Sequence, residues 1–176
     1  MGIKQINASY VADQDRLLLR VSTAEDQEYR LWLTRAVVLK FLAISDLAVV
    51  TALAQQHPVE QAKMIAEFQQ EAIAEQETFE QPFESVPELP LGSEPQLVIS
   101  IAASLADQTC HLALQLGSHQ TLTLHLGRDL LQKTKLLIQK ISAQAQWLIG
   151  PVLPLGEQHA SAESGAAKTD TSKIVH

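Results

Sequence analysis

The chain has 176 residues, 46% of them apolar, and a formal net charge of −7. That length suits one domain or two small intertwined halves, and the apolar share is ordinary for a globular core. The charge is concentrated: residues 71–95 carry Glu71, Glu75, Glu77, Glu80, Glu84, Glu88 and Glu94 with no lysine or arginine, so this stretch accounts for the whole net charge and the rest of the chain sums to zero. A neutral body excludes bulk electrostatic attraction to nucleic acid or to an anionic membrane, which needs clustered positive charge.

In chain order, residues 3–11 alternate and predict a strand. Residues 16–22 and 28–34 predict two more, separated by the turn-like Ala24-Glu25-Asp26. A helix is expected from about Arg35 to Gln56, with Thr34 as its N-cap. Within it, residues 36–54 are 15 of 19 apolar. Lys40 and Asp46 interrupt that run, each at a cost of roughly 2.5–3.5 kcal/mol near the centre of a bilayer. The length is also marginal for a span, so a buried helix without membrane contact is expected. Pro58 suits the first turn of a further helix reaching about Gln76, with Val59, Ala62, Ile65, Phe68 and Ala72 as its apolar stripe.

Residues 77–95 contain Pro82, Pro87, Pro90 and Pro95, which deny regular hydrogen bonding and predict an extended, solvated linker. Strands at about 96–103, 109–116 and 120–126 follow. A helix is then expected from about Arg128 to Ile149, with Leu130, Thr134, Leu137, Ile141, Ala145 and Leu148 on one face and Gly150-Pro151 ending it. Residues 152–176, rich in Ala, Ser, Gly and Lys, predict a disordered tail.

The two halves repeat at a spacing of 93 residues. Leu19, Leu31, Leu33, Arg35 and Lys40 have Leu112, Leu124, Leu126, Arg128 and Lys133 as counterparts. The expected fold is therefore α+β: two β-β-β-α repeats forming antiparallel sheet packed by helices about a pseudo-twofold axis. The divisions are 1–76 (first repeat plus the extra helix), 77–95 (linker), 96–151 (second repeat) and 152–176 (tail). The first repeat helix is apolar nearly all round, with Leu39, Leu42, Val49 and Leu53 off the shared stripe. It needs a second cover, either helix 58–76 or a homodimer interface.

Period-two logic puts Leu17, Leu19, Val21, Tyr29, Leu31 and Leu33 on the core face, with Cys110, Leu112, Leu114, Leu122, Leu124 and Leu126 as their counterparts. Cys110 then reads as a small buried hydrophobe. As the single cysteine it excludes an intramolecular disulfide, and it points to a reducing, cytoplasmic location. The outer faces differ: Arg16, Leu18, Arg20, Arg30 and Trp32 in the first half, against Thr109, His111, Ala113, Thr123 and His125 in the second. With three-residue hairpin loops, Leu18 lies opposite Trp32, Arg20 opposite Arg30 and His111 opposite His125. Arg20 against Arg30 is unfavourable unless something negative lies nearby. Three readings stay open for this face: a site for an acidic ligand, protein segment or single-stranded nucleic acid; arginine stems covering Trp32 and Leu18 with their heads in water; or a site for the acidic linker itself, through Phe79 and Phe83 among its glutamates.

His111 and His125 are the candidate metal ligands, with His119 as a possible third, but two ligands are too few. Arg35 and Arg128 both open helices against the helix dipole, so each is expected to have a compensating salt-bridge partner. No phosphate loop, nucleophile elbow, CxxC or HExxH occurs, so no enzyme and no cofactor is expected.

The segments RLLLRVST (Arg16–Thr23) and EYRLWLTR (Glu28–Arg35) resemble a family of small uncharacterised bacterial proteins, a likeness that carries no function. The tandem sheet-plus-helix plan is similar to that of the PUR and Whirly families, which implies single-stranded nucleic acid bound on a sheet face. Those repeats have four strands and basic faces, whereas this chain has three strands per unit and a neutral body. The function expected is that of a cytoplasmic interaction or structural protein, a homodimer or the binder of a protein partner, using Arg16, Leu18, Arg20, Arg30 and Trp32. The alternative is a single-stranded nucleic-acid binder using the same face, and a minor alternative is a metal-dependent enzyme.

Overall fold

The computed structural model of the chain describes residues 2–79 and 81–147. Six strands and three α-helices make an α+β fold, in the order three strands, two helices, three strands and one helix. The strands are β1 (Ile3–Val11), β2 (Arg16–Thr23), β3 (Glu28–Leu33), β4 (Gln96–Ala106), β5 (Thr109–Leu116) and β6 (Thr121–Gly127). The helices are α1 (Arg35–Ala54), α2 (Val59–Gln76) and α3 (Arg128–Gln144). The predicted tail 152–176 and the expected helix stop at Gly150-Pro151 lie outside the described residues.

The strands form one sheet in sequence order, β1 to β6. Two antiparallel meanders, β1–β2–β3 and β4–β5–β6, are joined where β3 meets β4. That junction is parallel and short, pairing Leu31 with Gln96 and Trp32 with Leu97, so the sheet is mixed rather than wholly antiparallel as expected. The reason lies in the connection: parallel neighbours need a long crossover, and α1, α2 and the linker supply it. The outer strands β1 and β6 also approach one another, so the sheet is rolled.

Registers follow from the alternation. Leu17 pairs with Leu33, Leu18 with Trp32, Leu19 with Leu31 and Arg20 with Arg30. In the second meander Cys110 pairs with Leu126, His111 with His125 and Leu112 with Leu124. Each meander's first strand has a register irregularity at the matching end, between Ile3 and Gln5 and between Val98 and Ser100. A one-residue slip would turn every leucine outward, and the buried face fixes the pairing: Leu17, Leu19, Val21, Leu31, Leu112, Leu114, Leu124 and Leu126 are all buried.

α1 opens with Thr34, whose hydroxyl accepts from the Val37 N–H at 3.4 Å. It is long and apolar enough to cross a membrane by length and composition. Here it is a core helix packed on β4, α2 and α3, with Val38, Phe41, Leu42, Val49 and Leu53 buried. α2 supplies the second cover through part of the expected stripe, with Ala62 in the core and Ile65 packed against it. Ala62 is fully buried, whereas Val59 and Phe68 are 54% and 72% exposed. The alanine lets the two helices approach closely, and larger residues at Val59 and Phe68 are left outside. Pro58 is the N-cap of α2 and does not sit inside its first turn. Lys135, buried on α3, donates to Asp46 of α1 and Gln70 of α2, which pins the three helices together.

α3 stops at Gln144, five residues before the expected end. Gln146 is left-handed (φ 54°), and the Trp147 N–H returns to the Ser142 carbonyl at 3.1 Å. A reverse-turning residue followed by that longer bond is how a helix satisfies its last carbonyls. Trp147 is thereby aimed back at the first meander: its indole N–H donates to Asp15 Oδ1 at 2.9 Å, and its ring meets Tyr10 edge-on with centroids 6.0 Å apart.

Candidate protein-interaction face

The outer face of the first meander is built in rows, because directly paired residues share a face. One row is Asn7–Arg20–Arg30 and the next is Gln5–Ser22–Glu28. On the other side of the arginines runs Ser9–Leu18–Trp32–Leu97, continuing across the parallel junction. Arg16 lies at the end of β2 beyond Leu18. All five expected contact residues, Arg16, Leu18, Arg20, Arg30 and Trp32, are therefore on one surface, each partly buried.

Arg20 and Arg30 do face each other, and the negative group they require is Glu28. Its Oε1 accepts from Arg20 Nε and from Arg30 Nε, each at 2.8 Å. The Glu28 side chain is fully buried, whereas the two arginine side chains are 22% and 29% exposed. Burial alone would raise the Glu28 pKa. Hydrogen bonds from Arg30 and Arg20, with their charges, outweigh that and hold the carboxyl below the usual glutamate range. Sequence reasoning missed Glu28, although it has the same strand parity as Arg30 and Trp32.

The described residues of the acidic segment 77–95 are largely exposed, as a solvated linker would be, but the segment is also anchored to the fold. It is a strap around the first meander. Glu77 pairs with Lys133, and the Thr78 carbonyl accepts from Lys140 at 3.1 Å, so the strap starts on α3. At β1, Gln5 donates to the Pro82 carbonyl at 2.9 Å and accepts from the Glu84 N–H at 3.1 Å, while Lys4 lies 3.7 Å from the Glu84 carboxylate. Over β2, the Arg20 guanidinium sits 4.0 Å from the centre of the Phe83 ring and donates to the Ser85 hydroxyl at 2.7 Å. Along β3, Glu88 forms a single parallel bridge with Gln27, its carbonyl accepts from the Glu28 N–H at 2.9 Å, and Arg30 reaches the Ser93 carbonyl at 3.3 Å. Of the three readings open for this face, the strap therefore occupies the Arg20 and Arg30 rows. Its polar contacts stop short of the Leu18–Trp32–Leu97 row, and Arg16 forms no ion pair among the described residues.

The second meander presents a different face. His111 and His125 stack with ring centroids 4.5 Å apart and planes 16° from parallel. His119 lies in the turn at the far end of β5; at about 3.3 Å per residue that is roughly 16 Å away. Among the described residues no group of three or more metal-binding side chains converges. Cys110 is buried, and burial pushes its thiol pKa up.

The helix-opening arginines behave differently from each other. Arg35 lies close enough to Asp15 to help lower that carboxyl's pKa, after the larger effects of the Trp147 and Tyr10 hydrogen bonds. Among the described residues Arg128 forms no ion pair and its buried Nε has no hydrogen-bond partner, so the expected salt bridge is not seen there. No family model, curated protein or solved structure matches the chain.

Proposed function

We propose that the chain is a non-enzymatic interaction protein whose first-meander outer face, Arg16, Leu18, Arg20, Arg30 and Trp32, engages an extended acidic segment of a protein partner. The observation that carries this reading is Phe83 stacked against the Arg20 guanidinium while Ser85 accepts from the same group. The face thus has a binding mode for an acidic, aromatic-bearing peptide, and its own strap uses it. Beside it the Leu18–Trp32–Leu97 row offers an apolar ledge with an aromatic anchor, the kind of residue that dominates interface energetics. The matching registers of the two meanders, and the packing of α1 on β4 and α3 on β1, support a duplicated, pseudo-twofold origin for the scaffold. A cytoplasmic homodimer is part of the same proposal.

A single-stranded nucleic acid is the second reading, favoured by Arg16, which has no ion pair among the described residues, beside a partly exposed aromatic row. It would stack bases on Trp32 and place phosphates on Arg16, Arg20 and Arg30. Trp32 fluorescence separates the two, with Trp32→Phe as control because Trp147 also emits. A glutamate-rich peptide containing one phenylalanine is expected to change the emission of the native chain and not that of the control. A change produced by an oligonucleotide and not by the peptide would replace the first reading with the second.

A further inference from the structure

We infer that the strap is a tethered competitor for the interaction face, so that a partner's acidic peptide binds only after residues 82–88 have been displaced. This rests on the interaction reading above and adds its regulation.

The strap is held in a way that lets it leave. Pro82, Pro87 and Pro90 remove backbone donors, and the pairing with the sheet reduces to the one bridge between Gln27 and Glu88. β4, by contrast, carries a full antiparallel ladder. The remaining contacts are side-chain hydrogen bonds and an ion pair at the surface; Glu84 and Ser85 are exposed and Phe83 is only partly buried. Exposed ion pairs contribute little, and segments with few buried apolar contacts and solvent-facing hydrogen bonds open at low cost.

The surface beneath keeps its affinity for anions when the strap is gone. Two guanidiniums share the single Glu28 carboxylate, and Lys4 and Arg16 add further cations on the same meander. The strap's anchors are therefore an approximate description of the partner: an aromatic residue for Arg20, a hydroxyl or carboxylate next to it, and a glutamate near Lys4. A partner gains over the strap by also covering Trp32, Leu18 and Leu97, which the strap's polar contacts do not reach. The tether presents the strap at an effective concentration of order millimolar, so an untethered peptide of the same sequence competes poorly until the strap is loosened.

The test uses the full chain, a Phe83→Ala variant, and a fluorescent synthetic peptide reproducing residues 81–91. By fluorescence polarisation the variant is expected to bind the peptide at least about tenfold more tightly than the native chain, and Arg20→Ala in the variant background to abolish that binding. In the native chain, saturating peptide is expected to accelerate hydrogen exchange at the Glu84 amide, a readout that needs no substitution and stands if Phe83→Ala fails to fold. Equal affinity for native and variant chains, with Glu84 exchange unchanged, overturns the competition and leaves the interaction reading in place. Absence of peptide binding by both chains at millimolar concentration removes the interaction reading as well. Conversion of the variant to a dimer without peptide would make a second copy's strap the occupant and overturn the proposal.

Discussion

Replacing Glu28 by glutamine keeps the shape of the side chain and removes the one negative charge between Arg20 and Arg30. The carboxylate is fully buried and meets each guanidinium at 2.8 Å. Breaking a fully buried pair costs about 3–5 kcal/mol, whereas an exposed pair contributes about 0–1 kcal/mol. Both arginine heads keep about a quarter of their exposure, so solvent screens the charge left behind. The expected loss lies between those limits, at about 2–3 kcal/mol after discounting for that screening. For a domain of this size that is a fall in melting temperature of roughly 5–10 °C. Urea unfolding measures it directly. A second comparison tests the physical reason. Replacing Arg20, Glu28 and Arg30 together by leucine removes every charge and leaves none stranded, so the triple variant is expected to be more stable than Glu28→Gln alone. A Glu28→Gln loss below about 0.5 kcal/mol would refute the idea that Glu28 is what permits the two arginines to face each other.

Other expectations concern the core and the outlying polar groups. Leu112→Ala removes a buried side chain from the second meander and is expected to cost about 2–5 kcal/mol in urea unfolding; a loss under 1 kcal/mol would deny it a place in the core. Glu28 and Asp15 both have folded pKa values below their ordinary ones. Their stabilisation is therefore present above the unfolded carboxylate pKa and lost as pH falls through the lower folded value, so acid unfolding monitored by Trp147 is expected to flatten in an Asp15→Asn, Glu28→Gln chain. Thr34→Ala removes the cap of α1 and is expected to cost about 1 kcal/mol. Zinc at about 0.1 mM is expected to move the melting temperature by no more than about 1 °C, because His111 and His125 have no third ligand among the described residues; a shift that disappears in His125→Ala would reverse this.

Local rules carried far in this chain. Strict alternation placed the leucines of both meanders, and hairpin geometry then paired Leu18 with Trp32, Arg20 with Arg30 and His111 with His125. The starts of α1 and α3 follow from their first residues in the same way. What escaped was non-local. The parallel contact of β3 with β4 depends on how a crossover of some sixty residues is folded, which no window of sequence records. The strap reads as solvated because four prolines erase periodicity. Its anchors are isolated backbone groups meeting Gln5 and single side chains meeting Arg20 and Gln27, and only the phenylalanines among its glutamates signalled them. The expected stripe of α2 held at Ala62 and Ile65 and failed at Val59 and Phe68, because periodicity gave a face without saying how closely its neighbour would approach. Ala62, small enough for close approach to α1, decided that.

The two outer faces show what the strap changes. Arg20 and Arg30 form a costly pair on a sheet whose opposite face supplies the core, and the positions in the same register of the second meander are Ala113 and Thr123. A pair of like charges on one face and small uncharged residues on the other cannot both follow from the needs of a leucine core, because both meanders bury that core in the same way. The arginines therefore belong with what they touch: Glu28 beneath them, and Phe83 and Ser85 above. Glu28 makes the pair tolerable in the folded chain, but one carboxylate against two guanidiniums leaves a surplus positive charge facing outward. The strap answers that surplus with the Phe83 ring, the Ser85 hydroxyl and the Ser93 carbonyl, and the same surplus is what the proposed acidic partner would meet. The same residues thus link the net negative charge of one segment to the neutrality of the rest, which is where the charge distribution along the sequence first pointed.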